Sequence, residues 1–281
     1  MDVEVILIHL IHVGWVKNLL TSILAFDIAQ FFPSLNHCLL PLILDKAGFN
    51  FKISIFFQDY LVGRKTKYLW NTFSSPSFNI NIGVGQSSAL SPILSALYLS
   101  PIFYIFEKRI INLKIPISIL SFVDDDLFIA QDKSLTVSNS HLFCSYHIMS
   151  LLLKQFGLVI KHGKMEVFHF SRSHRSFNPP SLDLIPLGSP ILHLKGIWQC
   201  LEFIFNRKLT FWQHITFYAN KTLLTVKCMK LLRNSLRGPI PTQKCLLYRN
   251  CVLPITLYGF QLWFYNKALL VYSLKKLRKM Q

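Results

Sequence analysis

Three aspartates stand side by side at Asp124, Asp125 and Asp126, in a chain of 281 residues with only 13 acidic side chains. Apolar residues lead into them at Ile117, Ile119 and Leu120 and lead out at Leu127, Phe128 and Ile129. Short β-branched and aromatic runs on either side of an acidic turn predict a β-hairpin over 117–130. Adjacent carboxylates at such a tip repel one another. A divalent cation relieves that repulsion, and oxygen donors of this kind suit magnesium or manganese. A solvated acidic turn explains the same residues, because Asp is favoured in turns. A fourth acid, Asp27, closes the apolar run Ile23-Leu24-Ala25-Phe26, where it either caps the next element or adds a metal ligand.

The elements around these acids are readable in outline. Residues 23–26 predict a buried strand, and Pro33 with Ser34 supplies helix-start chemistry. Residues 38–60 have helical spacing with a break at Gly48. Gly63-Arg64-Lys65-Thr66-Lys67 is a basic turn, suited to solvent or to phosphates, ahead of strand-like Tyr68-Leu69-Trp70. Gly83 and Gly85 permit a close backbone approach, and Gln86, Ser87 and Ser88 follow before an apolar helix. The run Ala89–Phe106 is uncharged and nearly of membrane length. Its two prolines and three serines fit a packed core helix better than a span. A helix over 140–157 ends at Gly157, with strand-like runs at 158–160, 167–170 and 198–205. The Ser-, Pro-, Asn- and Gly-rich stretch 171–190 predicts a boundary. From His214 the chain reads as helical and basic, with Lys230, Arg233 and Arg237 on one face and Leu224, Leu231 and Leu232 turned away.

Bulk composition narrows the classes further. A formal charge of +17 calls for a polyanionic partner, nucleic acid or an anionic membrane surface. An apolar content of 52% excludes a disordered chain. Six cysteines with no C-x-x-C pair fit reduced thiols and argue against structural zinc. His9 and His12 have helical spacing and no further ligand beside them. Asp2 and Glu4 stand where a secretory leader needs basic residues, so the chain is expected to be intracellular, nuclear or cytoplasmic, and not secreted.

Taken in order, the motifs resemble the palm of a reverse transcriptase, and look most like the enzymes of non-long-terminal-repeat (LINE-like) retrotransposons of a fungal type. Phe26-Asp27-Ile28-Ala29-Gln30-Phe31-Phe32 resembles the first palm motif, and Gly83 to Pro92 is similar to the second. Phe122-Val123-Asp124-Asp125 resembles the third, Lys161-His162-Gly163-Lys164-Met165-Glu166 the fourth, and Cys200-Leu201-Glu202-Phe203 sits where a primer grip would lie. Leu253 to Gly259 looks like the segment that follows the palm. The resemblance covers roughly residues 21–265.

The resemblance implies an α+β fold: a right-hand palm, an antiparallel sheet backed by helices, with a helical thumb-like segment. Residues 1–170 would be a partial fingers and palm core, 171–213 a linker with primer-grip-like strands, and 214–281 the basic thumb. It implies RNA-directed DNA polymerase activity, with an RNA template, a DNA primer and deoxynucleoside triphosphates as partners, no membrane, and a monomeric fragment lacking the N-terminal fingers. Asp27, Asp124 and Asp125 would hold two Mg2+ or Mn2+ ions, so Asp27 and Asp124, far apart in sequence, must meet in the fold. Phe32 would be the steric gate against a ribose 2′-hydroxyl, and Gln86, Ser87 and Ser88 would touch template or nucleotide. Lys164 would protonate or shield the leaving pyrophosphate. Arg64, Lys65, Lys67, Lys230, Arg233 and Arg237 would grip nucleic acid. Three departures weigh against turnover: Ser87 replaces a usual Gly, Asp126 adds charge beside the expected metals where Gly is frequent, and Glu202 replaces a Gly of the primer grip. A non-catalytic nucleic-acid-binding remnant is the alternative.

Overall fold

The structure, a computed structural model, describes residues 2–85, 88–123, 125–172, 196–231 and 238–264. The helix α1 (Asp2–Val16) precedes strand β1 (Leu20–Asp27), the one-turn α2 (Phe31–Ser34), and helices α3 (Leu39–Lys46) and α4 (Phe51–Leu61). Four two-residue strands follow, β2 (Lys65–Thr66), β3 (Leu69–Trp70), β4 (Phe73–Ser74) and β5 (Phe78–Asn79), and then the long α5 (Ser91–Asn112). Strands β6 (Ile117–Phe122) and β7 (Asp125–Asp132) lead to α6 (Leu135–Gln155), a 3-10 turn (His162–Lys164) and β8 (Glu166–Phe170). Strands β9 (Ile197–Cys200) and β10 (Phe203–Asn206) precede α7 (Trp212–Leu231), α8 (Pro241–Leu247), a π turn, α9 (Leu253–Thr256) and α10 (Phe260–Trp263). The fold is mixed helix and antiparallel sheet, with no helix among the described residues long and apolar enough to cross a membrane.

The described chain falls into two compact units. The unit of residues 19–167 is organised on a sheet in the order β6-β7-β1-β8. Side chains alternate across a strand with period two, so the pairing of β1 with β7 sorts residues onto faces. Leu24, Phe26, Phe128 and Ala130 share one face and join a buried cluster with Leu94, Tyr98, Ile102 and Phe106 of α5 and with Leu142, Tyr146 and Met149 of α6. Phe128 is held from two sides, its ring centroid 4.8 Å from Phe26 and 5.1 Å from Phe106. Helix α5 buries Ser91, Leu94, Ser95, Tyr98, Ile102, Phe106 and Ile110, a stripe at helical spacing that fits the packed-core reading of this uncharged run. Pro92 sits in its first turn, and Pro101 is accommodated inside it.

The second unit contains α1, residues 168–172 and the chain from 196. Its centre is aromatic: Trp198 stacks on Phe205 at 5.5 Å, and Phe203 lies nearly parallel to the His214 ring at 5.1 Å. His214 is fully buried, with Nδ1 accepting from the Ile204 amide and Nε2 donating to the Tyr258 carbonyl. That pairing fixes a neutral imidazole, and burial lowers its pKa. Gly259, at φ 67°, packs where any Cβ would collide with the Phe203 ring.

Two strand expectations need correction. Residues 158–160 form a single bridge, Ile160 to Ile28, instead of a strand. Residues 198–205 are not one strand but two arms of a hairpin, turned at Leu201 and Glu202 with φ 46° and 69°.

Candidate active site

Asp27 is the last residue of β1 and is itself buried at 8% exposure, with the buried apolar Ile28 directly after it. The Asp27 carbonyl accepts from the Lys161 amide at 2.8 Å, and the Ala29 amide donates to the Val159 carbonyl at 2.7 Å. These bonds lay the segment after α6 alongside residues 27–29. The 3-10 turn at His162–Lys164 then brings the Lys164 ammonium to 2.7 Å from Asp27 Oδ2. The first and fourth motifs therefore meet at one carboxylate.

The third motif joins them through the sheet. In the pairing of β1 with β7, Asp27 is the direct partner of Asp125 and Phe26 that of Asp126. Directly opposed residues on antiparallel strands have Cβ atoms about 5 Å apart on the same face. Asp27 and Asp125 thus share a face, and Asp125 is exposed. Asp126 points the other way and is buried at 1% exposure, so the expectation that it adds charge beside the acidic centre is wrong. Period two moves it to the face of Phe26 and Phe128. Asp124, with Gln86 and Ser87, lies outside the described residues, so the predicted meeting of Asp27 with Asp124 falls outside them too. Val123, just before it, holds φ 63°, a value rare for a β-branched residue. A cavity of about 510 Å³, lined by Leu99, Phe103, Tyr104 and Glu107 of α5 and by Ser121 and Val123, opens beside this turn.

The second motif is pinned to the loop after Asp27. The Gly83 amide donates to Leu35 and the Val84 amide to Phe32, while His37 Nε2 lies 2.6 Å from the Gly83 carbonyl. A Cβ on Gly83 would stand 2.6 Å from the Pro33 oxygen, and its φ is 80°. Glycine is needed there both for conformation and for space. Gly85 is looser, its nearest neighbour being the Arg64 guanidinium. Phe32 is half-buried beside Phe31, whose ring centroid is 5.6 Å away. The Ser88 hydroxyl pairs with the Tyr60 hydroxyl at 3.0 Å.

The basic candidates separate. Lys65 and Lys67 are exposed. Arg64 is half-buried, 5.5 Å from the Tyr60 ring centroid and 3.4 Å from the Gly83 carbonyl, so it braces the glycine loop. Arg233 and Arg237 lie outside the described residues, as does the side chain of Lys230. Tyr60 and His37, which hold the loop, carry no local signal that would nominate them. In the second unit, Glu202 lies at the β9–β10 tip, and its carbonyl accepts from the Tyr218 hydroxyl. Burial, with the charge of Glu202, pushes the Tyr218 phenol up to about 12.

For a divalent ion, the donor chemistry fits. Asp27 and Asp125 supply hard oxygen atoms on one face of the sheet, and the Lys164 ammonium already shows that Asp27 attracts a cation. Among the described residues no group of three His, Cys, Asp or Glu is gathered for a metal. The six cysteines are free thiols.

No family model matches the chain, and no curated protein matches it. Among solved structures it is similar to telomerase from Candida tropicalis in complex with the TWJ fragment of telomeric RNA, at 15% identity and TM-score 0.48, covering 93% of this chain and 40% of that one. Telomerase from Candida albicans in complex with the TWJ fragment gives 16% identity and TM-score 0.36, over 90% of this chain and 42% of that one. Apo telomerase from Candida tropicalis gives 14% and 0.44, over 66% and 31%. The chain spans less than half the length of these structures. The likeness concerns fold alone, and the functional reading rests on the residues around Asp27.

Proposed function

We propose that this chain is the palm, with a thumb-like helical segment, of a reverse transcriptase from a non-LTR retrotransposon of a fungal type. One observation carries the reading: Asp27 lies opposite Asp125 on paired strands and within 2.7 Å of Lys164, so three of the four ordered motifs converge on one carboxylate. In this reading Asp27, Asp124 and Asp125 hold Mg2+ or Mn2+. Two such ions supply activation of a primer 3′-hydroxyl and neutralisation of the charge that develops on phosphate. Phe32 fills the space of a 2′-hydroxyl and so selects deoxynucleotides. Gln86, Ser87 and Ser88 border the nucleotide, and Lys164 is placed to give a proton to the departing pyrophosphate. Lys65 and Lys67, with Lys230, Arg233 and Arg237, attract an RNA template and DNA primer. Arg64 supports the loop. The protein acts as a monomer inside the cell, in nucleus or cytoplasm.

The Ser at position 87 puts a side chain where backbone must approach the nucleotide, and Glu202 does the same at the primer grip. Turnover is therefore weak. The test is primer extension on an RNA template with Mg2+, comparing the chain with Asp27→Asn. Weak, metal-dependent synthesis that vanishes in the variant is expected; synthesis that survives Asp27→Asn would overturn the assignment. The second reading, a non-catalytic binding remnant, is favoured by the same Ser87 and Glu202. It predicts salt-dependent nucleic-acid binding that is indifferent to metal.

A further inference from the structure

We infer that the ribbon of residues 64–80 is a stacking platform for unpaired RNA. Strands β2 to β5 form two short ladders in succession along one arm: the Ile80 amide donates to Arg64, Lys65 pairs with Asn79 and Thr66 with Phe78, the Ser75 amide donates to Tyr68, and Leu69 pairs with Ser74. Trp70 and Phe73 are direct cross-strand partners at the tip, so their rings share a face. Tyr68, two residues before Trp70, falls on that face, and its ring lies 5.8 Å from Phe78. Four aromatic rings in a row are thus held by backbone bonds. Yet Tyr68 is 69% exposed, Trp70 77%, Phe73 62% and Phe78 48%.

Exposed apolar groups on this scale mark a binding surface, and charge decides the occupant. Between Asp59 and Glu107 the sequence contains no acidic residue, while Lys65 and Lys67 stand exposed on the arm, turned by alternation to the face behind the rings. Rings on one face of an arm that also carries cations suit a polyanion that offers flat faces, which is a single-stranded nucleic acid. A duplex keeps its base faces stacked inward and has nothing to lay on Trp70. The choice of RNA rests on the proposed polymerase reading, in which an unpaired template is the strand to be held; the stacking itself does not depend on catalysis.

The test is fluorescence anisotropy on the full chain. The probes are a labelled single-stranded RNA of about 12 nucleotides and the same RNA annealed to its complement. Trp70→Ala and Phe73→Ala should each weaken single-strand binding about tenfold and leave duplex binding within about twofold, with Trp70→Phe retaining most of the affinity. Thermal melting of each variant confirms that the fold is kept. Lys65→Gln with Lys67→Gln should weaken both probes and flatten the salt dependence. Unchanged single-strand affinity in both alanine variants would overturn the inference, as would an equal loss on both probes. So would a change in oligomeric state on Trp70→Ala with RNA binding intact, which would make the ribbon a protein interface. Trp70-dependent binding by a chain that extends no primer would sink the polymerase reading and keep this one; primer extension with Trp70-independent binding would do the reverse.

Discussion

A single ammonium group decides how the acidic centre behaves without a metal. Lys164 sits 2.7 Å from Asp27 while remaining 59% exposed, so water screens much of the attraction and the pair contributes at most about 1 kcal/mol. Its larger effect is competitive, because the ammonium occupies the oxygen that a divalent ion would use. Lys164→Met should therefore lower the melting temperature slightly in chelator and enlarge the rise produced by Mn2+, read in a thermal-shift titration. A smaller rise would mean that Lys164 helps to hold the ion. Asp27 was legible as the polar end of an apolar run, and the acidic turn as the tip of a hairpin. The orientation of Asp126 was also available from alternation, but three adjacent acids invite grouping as one cluster. Arg64 was not readable: its partners, Tyr60 and the Gly83 carbonyl, are set by the fold and not by its basic neighbours.

At the scale of elements, what could be read depended on punctuation. Helix α5 declared itself through an apolar stripe with Pro92 in its first turn, and β6 and β7 through the acids between them. The β9–β10 hairpin did not, because Leu201 and Glu202 stand where a two-residue turn calls for Asn or Gly. Both residues hold positive φ without the side-chain freedom of Gly. That conformation costs about 1 kcal/mol per residue in an ordinary L-residue. Glu202→Gly should thus raise stability by about 1 kcal/mol, measured by urea unfolding, while the carbonyl that accepts from Tyr218 stays in place. A loss of stability instead would mean that the Glu202 side chain holds a contact worth more than the relieved strain. Val123 presents the same kind of strain beside the acidic turn. Strain of that kind recurs where geometry serves a site rather than stability.

For the whole molecule, titration divides the two units. His169 and His214 both belong to the aromatic unit; burial pushes the His169 imidazole down to about 4, and that of His214 is lowered for the same cause. Above about pH 6.5 both are neutral folded or unfolded, and their effect on stability is nil. Below that, the unfolded chain takes up protons that the folded chain refuses, so stability falls as pH drops from about 6.5 towards 4. The loss from His169 alone reaches roughly 3 kcal/mol at the lower end. Melting followed by tryptophan emission across that range should show it, and His169→Phe should blunt the slope. A flat profile would argue that neither imidazole is buried as described. The strong positive charge pointed towards a polyanion as partner and the Ser-, Pro-, Asn- and Gly-rich stretch 171–190 towards a boundary, but no feature of composition told that the chain would also divide after residue 18.

That division has a bearing on biosynthesis. Among the described residues the acid-bearing unit is the single stretch 19–167, so a ribosome finishes it while the aromatic unit has only its residues up to 18. The aromatic unit draws α1 from before that stretch and its remaining described parts from after it. Its first helix must wait, uncommitted, through some 150 residues of elongation.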